Sequence, residues 1–229
     1  MNIPTHVAVI LDGNRRWARE KRLPTFEGHR RGFEKTVEIG KKARELGIKI
    51  LTLWGFSTEN WDRSKEEINY LMNLYETWIE RNLKVAIKEQ LRLIHLGRKD
   101  RLKESLRKKI ITAEEKTKKF SKYYLCIGLD YGGRDEVLRA AQQSQNSNVK
   151  CQNLKEEMLE HYLDTKDLPQ QDVDLIIRTG GEQRMSGFMM WQGAYAEYIF
   201  VDKYLPDFTP DDFEKCIEEY SKRQRRFGR

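Results

Sequence analysis

Apolar positions in this chain follow two alternating rhythms. Short runs at His6 to Leu11, Ile48 to Phe56, Arg92 to Gly97, Tyr123 to Leu129, Val173 to Ile177 and Tyr195 to Val201 predict strands. Between them the spacing turns helical. Phe33 to Leu46 predicts a helix that stops at Gly47. Ser64-Lys65-Glu66-Glu67 has the form of a capping box, and Ile68, Leu71, Met72, Tyr75, Trp78, Ile79 and Ala86 mark a long amphipathic helix after it. Lys99 to Lys119 predicts a very basic helix, and Thr209-Pro210-Asp211-Asp212 opens the last one, with Thr209 as N-cap. Strands alternating with helices predict an α/β domain built on a parallel sheet, whose strands read as continuous apolar runs because both faces are covered. No internal repeat interrupts the pattern. The polar stretch from Gln142 to Asn153 reads as a surface loop between two helices.

In such a sheet, ligands bind beyond the carboxyl ends of the strands. That is where the Gly, Asp, Asn, Ser, Arg and Glu clusters of this chain fall. Asp12-Gly13-Asn14-Arg15-Arg16-Trp17 follows the first strand, Ser57-Thr58-Glu59-Asn60-Trp61 with Arg63 the second, and Arg178-Thr179-Gly180-Gly181-Glu182-Gln183-Arg184-Met185-Ser186 a later one. A glycine turn exposes backbone N–H groups, and paired arginines add charge-assisted bonds, so the first and third clusters suit phosphate groups. Asp12 opposes a phosphate unless a cation such as Mg²⁺ lies between them. The bland reading of the first cluster is a capped turn with two solvated arginines, and of the second a helix entry with local caps. Arg178 continues directly from an apolar run, where a charge needs an anionic partner. Glu197 lies in the apolar stretch Tyr195 to Phe200, either on an exposed edge or held for a metal. His29, one of four histidines, reads from spacing alone as structural.

Composition narrows the partners. The 229 residues suit one domain, and 38% hydrophobic content suffices for one sizeable core. A net charge of +7 implies an acidic partner: nucleic acid, an anionic membrane surface or phosphorylated small molecules. The basic helix has no interleaved aromatics to stack bases, which argues against nucleic acid. No apolar run approaches a membrane span, and no signal peptide is visible in MNIPTHVAVILDG. Cys126, Cys151 and Cys216 form no CxxC pair, so zinc and disulfides are not expected and a reducing cytoplasm is.

Taken together, the motifs resemble the cis-prenyltransferase family, the undecaprenyl diphosphate synthase-like or Z-isoprenyl diphosphate synthases. The resemblance runs from His6 to Ala18 through Gly28-His29, Phe56 to Trp61, Tyr131-Gly132-Gly133-Arg134 and Asp174 to Arg184, and on to Trp191-Gln192, Tyr195-Ala196-Glu197 and Pro206-Asp207-Phe208. It implies a single domain over residues 1–229, with a central, mostly parallel six-stranded sheet flanked by helices. It also implies Mg²⁺-dependent condensation of isopentenyl diphosphate onto an allylic prenyl diphosphate, with a new cis double bond. Asp12 would hold Mg²⁺ against the allylic diphosphate. Gly13, Asn14, Arg15 and Arg16, followed by Trp17, would cradle that diphosphate, with Arg63 assisting. His29 would sit beside the leaving group, while Ser57, Asn60 and Trp61 line the reacting centre. Arg178, Arg184 and Ser186 would bind isopentenyl diphosphate, and Glu197 would help place the metal there, from this chain or from the partner subunit of a homodimer. Arg226-Phe227-Gly228 resembles the family's Arg-x-Gly tail, which reaches into the partner's site. Leu53, Phe56, Leu71, Met72 and Tyr75 are candidate walls for the growing prenyl tail, and as single residues read as ordinary core. The water-insoluble product implies peripheral membrane contact.

Four positions depart from the family pattern: Thr25 in place of an arginine, Asp130 and Gly187 in place of asparagines, and Gly193 in place of a bulky apolar residue. They leave room for an unusual primer, another prenyl acceptor, a short product or a non-head-to-tail, lavandulyl-type condensation. A non-catalytic accessory subunit is the non-enzyme alternative. Such subunits typically lack the Asp-Gly-Asn-Arg-Arg motif that this chain keeps.

Overall fold

A computed structural model of the chain describes residues 2–146 and 155–223. Cys151, most of the polar loop and Arg226-Phe227-Gly228 lie outside the described residues. Six strands, β1 (His6–Ile10), β2 (Ile50–Ser57), β3 (Leu91–Leu96), β4 (Tyr123–Tyr131), β5 (Leu175–Arg178) and β6 (Glu197–Phe200), form one sheet in the order β3-β4-β2-β1-β5-β6. Every neighbouring pair is parallel, so the sheet is wholly rather than mostly parallel. The helices are α1 (Asn14–Glu20), α2 (Thr25–Glu45), α3 (Lys65–Lys88), α4 (Glu104–Thr117), α5 (Gly133–Asn146), α6 (Glu156–Glu160) and α7 (Pro210–Lys222).

Alternate residues of each strand face opposite layers. Val7, Val9, Leu51, Leu53, Leu175 and Ile177 share a core with Ile39 and Ala43 of α2 and with Phe213 and Ile217 of α7. Ala8, Ile10, Cys126 and Ile176 pack on the other face against Phe188 and Met189. A third cluster, with Phe56, Leu71, Met72, Tyr75, Leu106 and Ile110, joins β2 to α3 and α4. Each fully buried side chain of this size contributes roughly 1.5–3 kcal/mol.

Two helices depart from their expected bounds. Helix α2 begins at Thr25, eight residues before the apolar periodicity does. Its first half carries Gly28 and Gly32, which blur the pattern but are required by contact. A Cβ on Gly28 would stand 2.2 Å from the Asn14 carbonyl oxygen, and one on Gly32 2.4 Å from Asn14 Oδ1. The glycines let α2 press directly on the turn after β1. Helix α4 starts at Glu104 rather than Lys99, because residues 98–103 turn back toward the end of β4, where the Arg98 N–H donates to the Asp130 carbonyl. The last helix follows its predicted start, with Thr209 and Asp212 closing a full capping box.

In an open parallel sheet a crevice forms where the winding direction reverses. Here the chain leaves β1 toward β2 on one side, while β5 and β6 lie on the other. Ile10 is level with Arg178 across that boundary.

Candidate active site

The turn after β1 and the loop after β5 are tied together at this boundary. The Asp12 N–H donates to Thr179 Oγ1 (3.0 Å), and that hydroxyl donates back to the Asp12 carbonyl (2.8 Å). Leu205 N–H also donates to the Asp12 carbonyl, at 3.0 Å. Gly13 follows with φ 105°, a left-handed value that disfavours a side chain, and the Tyr204 ring packs where a Cβ would be. The Arg16 guanidinium stands 5.3 Å from the centre of that ring.

Charges from both turns interlock. Arg178 Nη2 donates to Asp12 Oδ2 at 2.9 Å, and Nη1 to Ser186 Oγ at 3.0 Å and to the Arg184 carbonyl. Arg178 is 5% exposed, so the anionic partner that its apolar setting demands is Asp12. Arg16 bridges Asp12 Oδ1 at 3.2 Å and Glu182 Oε1 at 3.0 Å. Ser186 takes a left-handed φ of 52°, followed by Gly187 at 80°, which presents the hydroxyl to Arg178. At Gly187, where the family has asparagine, glycine suits the φ without strain.

A second set of charges lies beneath α2 and α3. His29 Nε2 is 3.0 Å from Glu67 Oε1, which also accepts from Arg63 Nη1 at 3.1 Å, and Arg15 Nε stands 3.9 Å from Glu67 Oε2. Burial pulls His29 below its ordinary value, and the bond to Glu67 opposes that shift. Burial likewise lowers Arg63 against the pull of Glu67. In the sequence Glu67 shows only as the acid of a capping box. In the fold Ser64 caps the Glu67 N–H at 3.3 Å, while the carboxylate turns away to His29. Its position on the inward face of a long helix, beside a histidine of another helix, is a tertiary fact with no local signature.

Many of these groups border one cavity of about 740 Å³. Asp12, Gly13, Asn14, Arg15 and Arg16 line one side, Arg178 and Ser186 another, and His29, Ser57, Asn60 and Arg63 a third. Its remaining wall is apolar, with Leu53, Phe56, Leu71, Tyr75 and Trp78. Four predicted site residues do not line it. Trp17 is buried in α1 with the Arg31 guanidinium 5.8 Å from its ring. Trp61 turns back toward β4 and bonds Asp130. Arg184, 61% exposed, pairs with Glu182. Glu197 stands at the amino end of β6, level with Leu175 and Val7 and paired with Arg223 at 2.8 Å, so one chain does not bring it to Asp12.

Among the described residues no three His, Cys, Asp or Glu side chains cluster as a ready-made metal site. Mg²⁺, however, is commonly held by one or two carboxylates together with substrate phosphates. Asp12, partly exposed at the cavity wall between two arginines, fits that mode, with one carboxylate from the chain and the other oxygens from a diphosphate.

Comparison with known proteins agrees with this geometry. The prenyltransferase family model described as undecaprenyl diphosphate synthase matches residues 10–228. The chain is 49% identical to an isoprenyl transferase of Thermotoga maritima, over 100% of this chain and 98% of that protein. It is 45% identical to the tritrans,polycis-undecaprenyl-diphosphate synthase (geranylgeranyl-diphosphate specific) of Thermococcus kodakarensis, over 100% of this chain and 88% of that protein. Its fold is similar to that of lavandulyl diphosphate synthase from Lavandula x intermedia in complex with dimethylallyl diphosphate, with a TM-score of 0.95, 33% identity and 99% of each chain covered. The chain belongs to the undecaprenyl diphosphate synthase family of prenyltransferases.

Proposed function

We propose that this member of the undecaprenyl diphosphate synthase family condenses isopentenyl diphosphate with an allylic prenyl diphosphate, forming a cis double bond and releasing diphosphate, with Mg²⁺ as its metal. The observation that carries the reading is the single cavity, with two arginine-bearing strand ends opening into it around Asp12 and an apolar wall beyond them. Two diphosphates brought close together need two cationic walls, and a prenyl tail needs an apolar one.

In this reading Gly13, Asn14, Arg15 and Arg16 hold the allylic diphosphate, with Arg63 assisting. Asp12 holds Mg²⁺, which supplies charge neutralisation for the departing diphosphate. His29, fixed by Glu67, sits beside the leaving group. The reaction breaks an allylic C–O bond, forms a C–C bond and releases one proton. Ser57 and Asn60 stand where that proton leaves, and the Asn60 Oδ1 is already engaged by the Ser57 N–H at 3.2 Å. Arg178 and Ser186 hold the diphosphate of isopentenyl diphosphate, and Arg184 joins them by exchanging Glu182 for phosphate. Positioning and fixed charge do most of the catalysis.

The finer expectations belong to the same proposal. Homodimer formation is supported by the edge strand β6, just before which Tyr195 is 72% exposed. In a dimer Glu197 would serve the metal of the partner's site. Peripheral contact of a cytoplasmic enzyme with the membrane is supported by Leu23 and Phe26, exposed near the cavity rim beside the arginines of α1. No helix among the described residues is long and apolar enough to cross a membrane.

A second reading, a short or non-head-to-tail condensation, draws support from the likeness to lavandulyl diphosphate synthase and from Thr25. That residue lines the cavity where the family carries an arginine. One experiment separates the readings. The purified chain is incubated with Mg²⁺, labelled isopentenyl diphosphate and a panel of allylic diphosphates, and the dephosphorylated products are sized. A ladder in five-carbon steps establishes elongation. A single short or branched product establishes the second reading. No product from any primer overturns both for the isolated chain.

A further inference from the structure

Asp130 is a buried carboxylate outside the cavity that no step above uses. It sits near the end of β4 with a left-handed φ of 55° and 0% exposure. The Trp61 indole Nε1 donates to its Oδ1 at 2.8 Å. Arg101, from the turn before α4, clamps the same carboxylate through Nε to Oδ2 at 2.7 Å and through Nη2 to Oδ1. The Arg101 guanidinium also stands 5.9 Å from the centre of the Trp61 ring. A buried carboxylate is costly unless paired and hydrogen-bonded, and this one is both. The cation clamped to it rises from a 42%-exposed side chain of another segment.

What the carboxylate holds is the short 3-10 turn Thr58–Asp62, which has no buried residue of its own. Ser57, Asn60 and Arg63, at or beside this turn, all line the cavity. Trp61 is the stem by which the turn is fixed from behind. Its ring packs edge-on against Phe56, with centroids 5.2 Å apart, and its N–H ends on Asp130.

We infer that Asp130, with Arg101 clamping it, is a positioning residue for prenyl transfer, acting through the Trp61 indole on the turn that carries Ser57 and Asn60. This rests on the prenyl-transfer reading of the cavity. Its consequence is a defect in turnover rather than in capture of isopentenyl diphosphate, because Arg178 stands on β5, which β2 and β1 separate from β4 in the sheet. A misplaced reacting group lowers the rate even when substrates still bind.

The test compares D130A, D130N, W61F and the D130A/W61F pair in the full chain. D130A should lower kcat at least about fivefold, with KM for isopentenyl diphosphate changed by less than about threefold. D130N keeps a carbonyl oxygen for the indole and should recover most of that loss. W61F, which keeps the ring but removes the N–H, should reproduce the loss and add nothing to D130A, since the two act as one unit. A smaller loss in D130A, or losses in the two single variants that multiply in the pair, overturns the inference. The ¹⁵N–¹H indole resonance of Trp61, assigned by its absence in W61F, tests the anchor without turnover. It should move upfield in D130A, and an unmoved resonance overturns the inference whatever the wild-type enzyme elongates. Failure of the wild-type chain to elongate any primer would instead count against the reading of the cavity.

Discussion

Two clusters of carboxylates and polar partners in this fold behave oppositely. Around Asp12, Arg16, Arg178, Glu182 and Arg184, ion pairs cross between loops at an open cavity, and several members are partly exposed. Beneath α5, Glu136 is wholly buried and saturated. It accepts from the Tyr131 hydroxyl at 2.6 Å, from Gln192 Nε2 at 3.1 and 3.2 Å and from the Asp164 N–H at 3.0 Å. Gln192 Nε2 is also 3.0 Å from Thr165 Oγ1, which extends the network into the segment before β5. The first cluster holds pairings that an anion can replace. The second holds pairings with no room for exchange. The chemistry of the side chains is similar, and access decides which cluster is a site and which is a strut.

The sharpest break between them is Asp12→Ala. It should lower kcat by at least about a thousandfold, because it removes the proposed metal ligand, while the chain still folds but with a lowered thermal unfolding midpoint, because the buried Arg178 loses its anionic partner. Near-normal turnover would overturn the metal assignment, and a chelator should mimic the loss in the native chain. Next in size, Arg178→Ala should raise KM for the homoallylic substrate by about ten- to a hundredfold, as expected for a charge-assisted diphosphate contact. An unchanged KM would sink that placement.

The apolar wall gives a smaller and different effect. Tyr75 and Gly55 both line the cavity, and a Cβ on Gly55 would stand 1.9 Å from the Tyr75 hydroxyl. The ring therefore spans the apolar side against a bare backbone. Tyr75→Ala should shift the sized products upward by one or more five-carbon steps, and an unaltered distribution would show that the tail runs elsewhere.

The strut is probed by pH. Burial and the nearby Asp164 charge push Glu136 up to about 7, against its hydrogen bonds from Tyr131 and Gln192. The unfolded carboxyl releases its proton near its ordinary value of about 4.5. Between there and about 7 the native state holds a proton that the unfolded state has lost, so this group makes stability fall as pH rises through that window. Glu136→Gln should flatten that part of the dependence. Urea midpoints at pH 5 and pH 8 for both proteins measure it, and equal slopes would exclude the carboxyl as the cause.

Much of this was legible in the linear pattern because it depends on local spacing. Continuous apolar runs of strand length, separated by helical periodicity, require a covered parallel sheet, and such a sheet puts its Gly- and Arg-rich turns at one end. The second strand, the Thr209 capping box and the strand-end placement of Asp12 and Arg178 follow from neighbours a few residues away. The ordered motifs likewise carried the family. Other features had no such signal. The start of α2 was hidden because Gly28 and Gly32 answer to Asn14 across a helix interface. Glu67 looked like a cap because its partner His29 is 38 residues away. Trp61 was expected in the reacting centre, but the fold turns it to Asp130, 69 residues on. Glu197 stands at the far end of an edge strand from Asp12 within one chain, a separation that the linear pattern does not carry.

The sequence by itself therefore determined the architecture, the family and the end of the sheet where substrates meet, since periodicity and turn chemistry act at short range. Tertiary structure alone decided which charges face the cavity and which are sealed as braces. That choice depends on long-range contacts that exclude water, and exclusion of water is a property of the packed layers rather than of any segment.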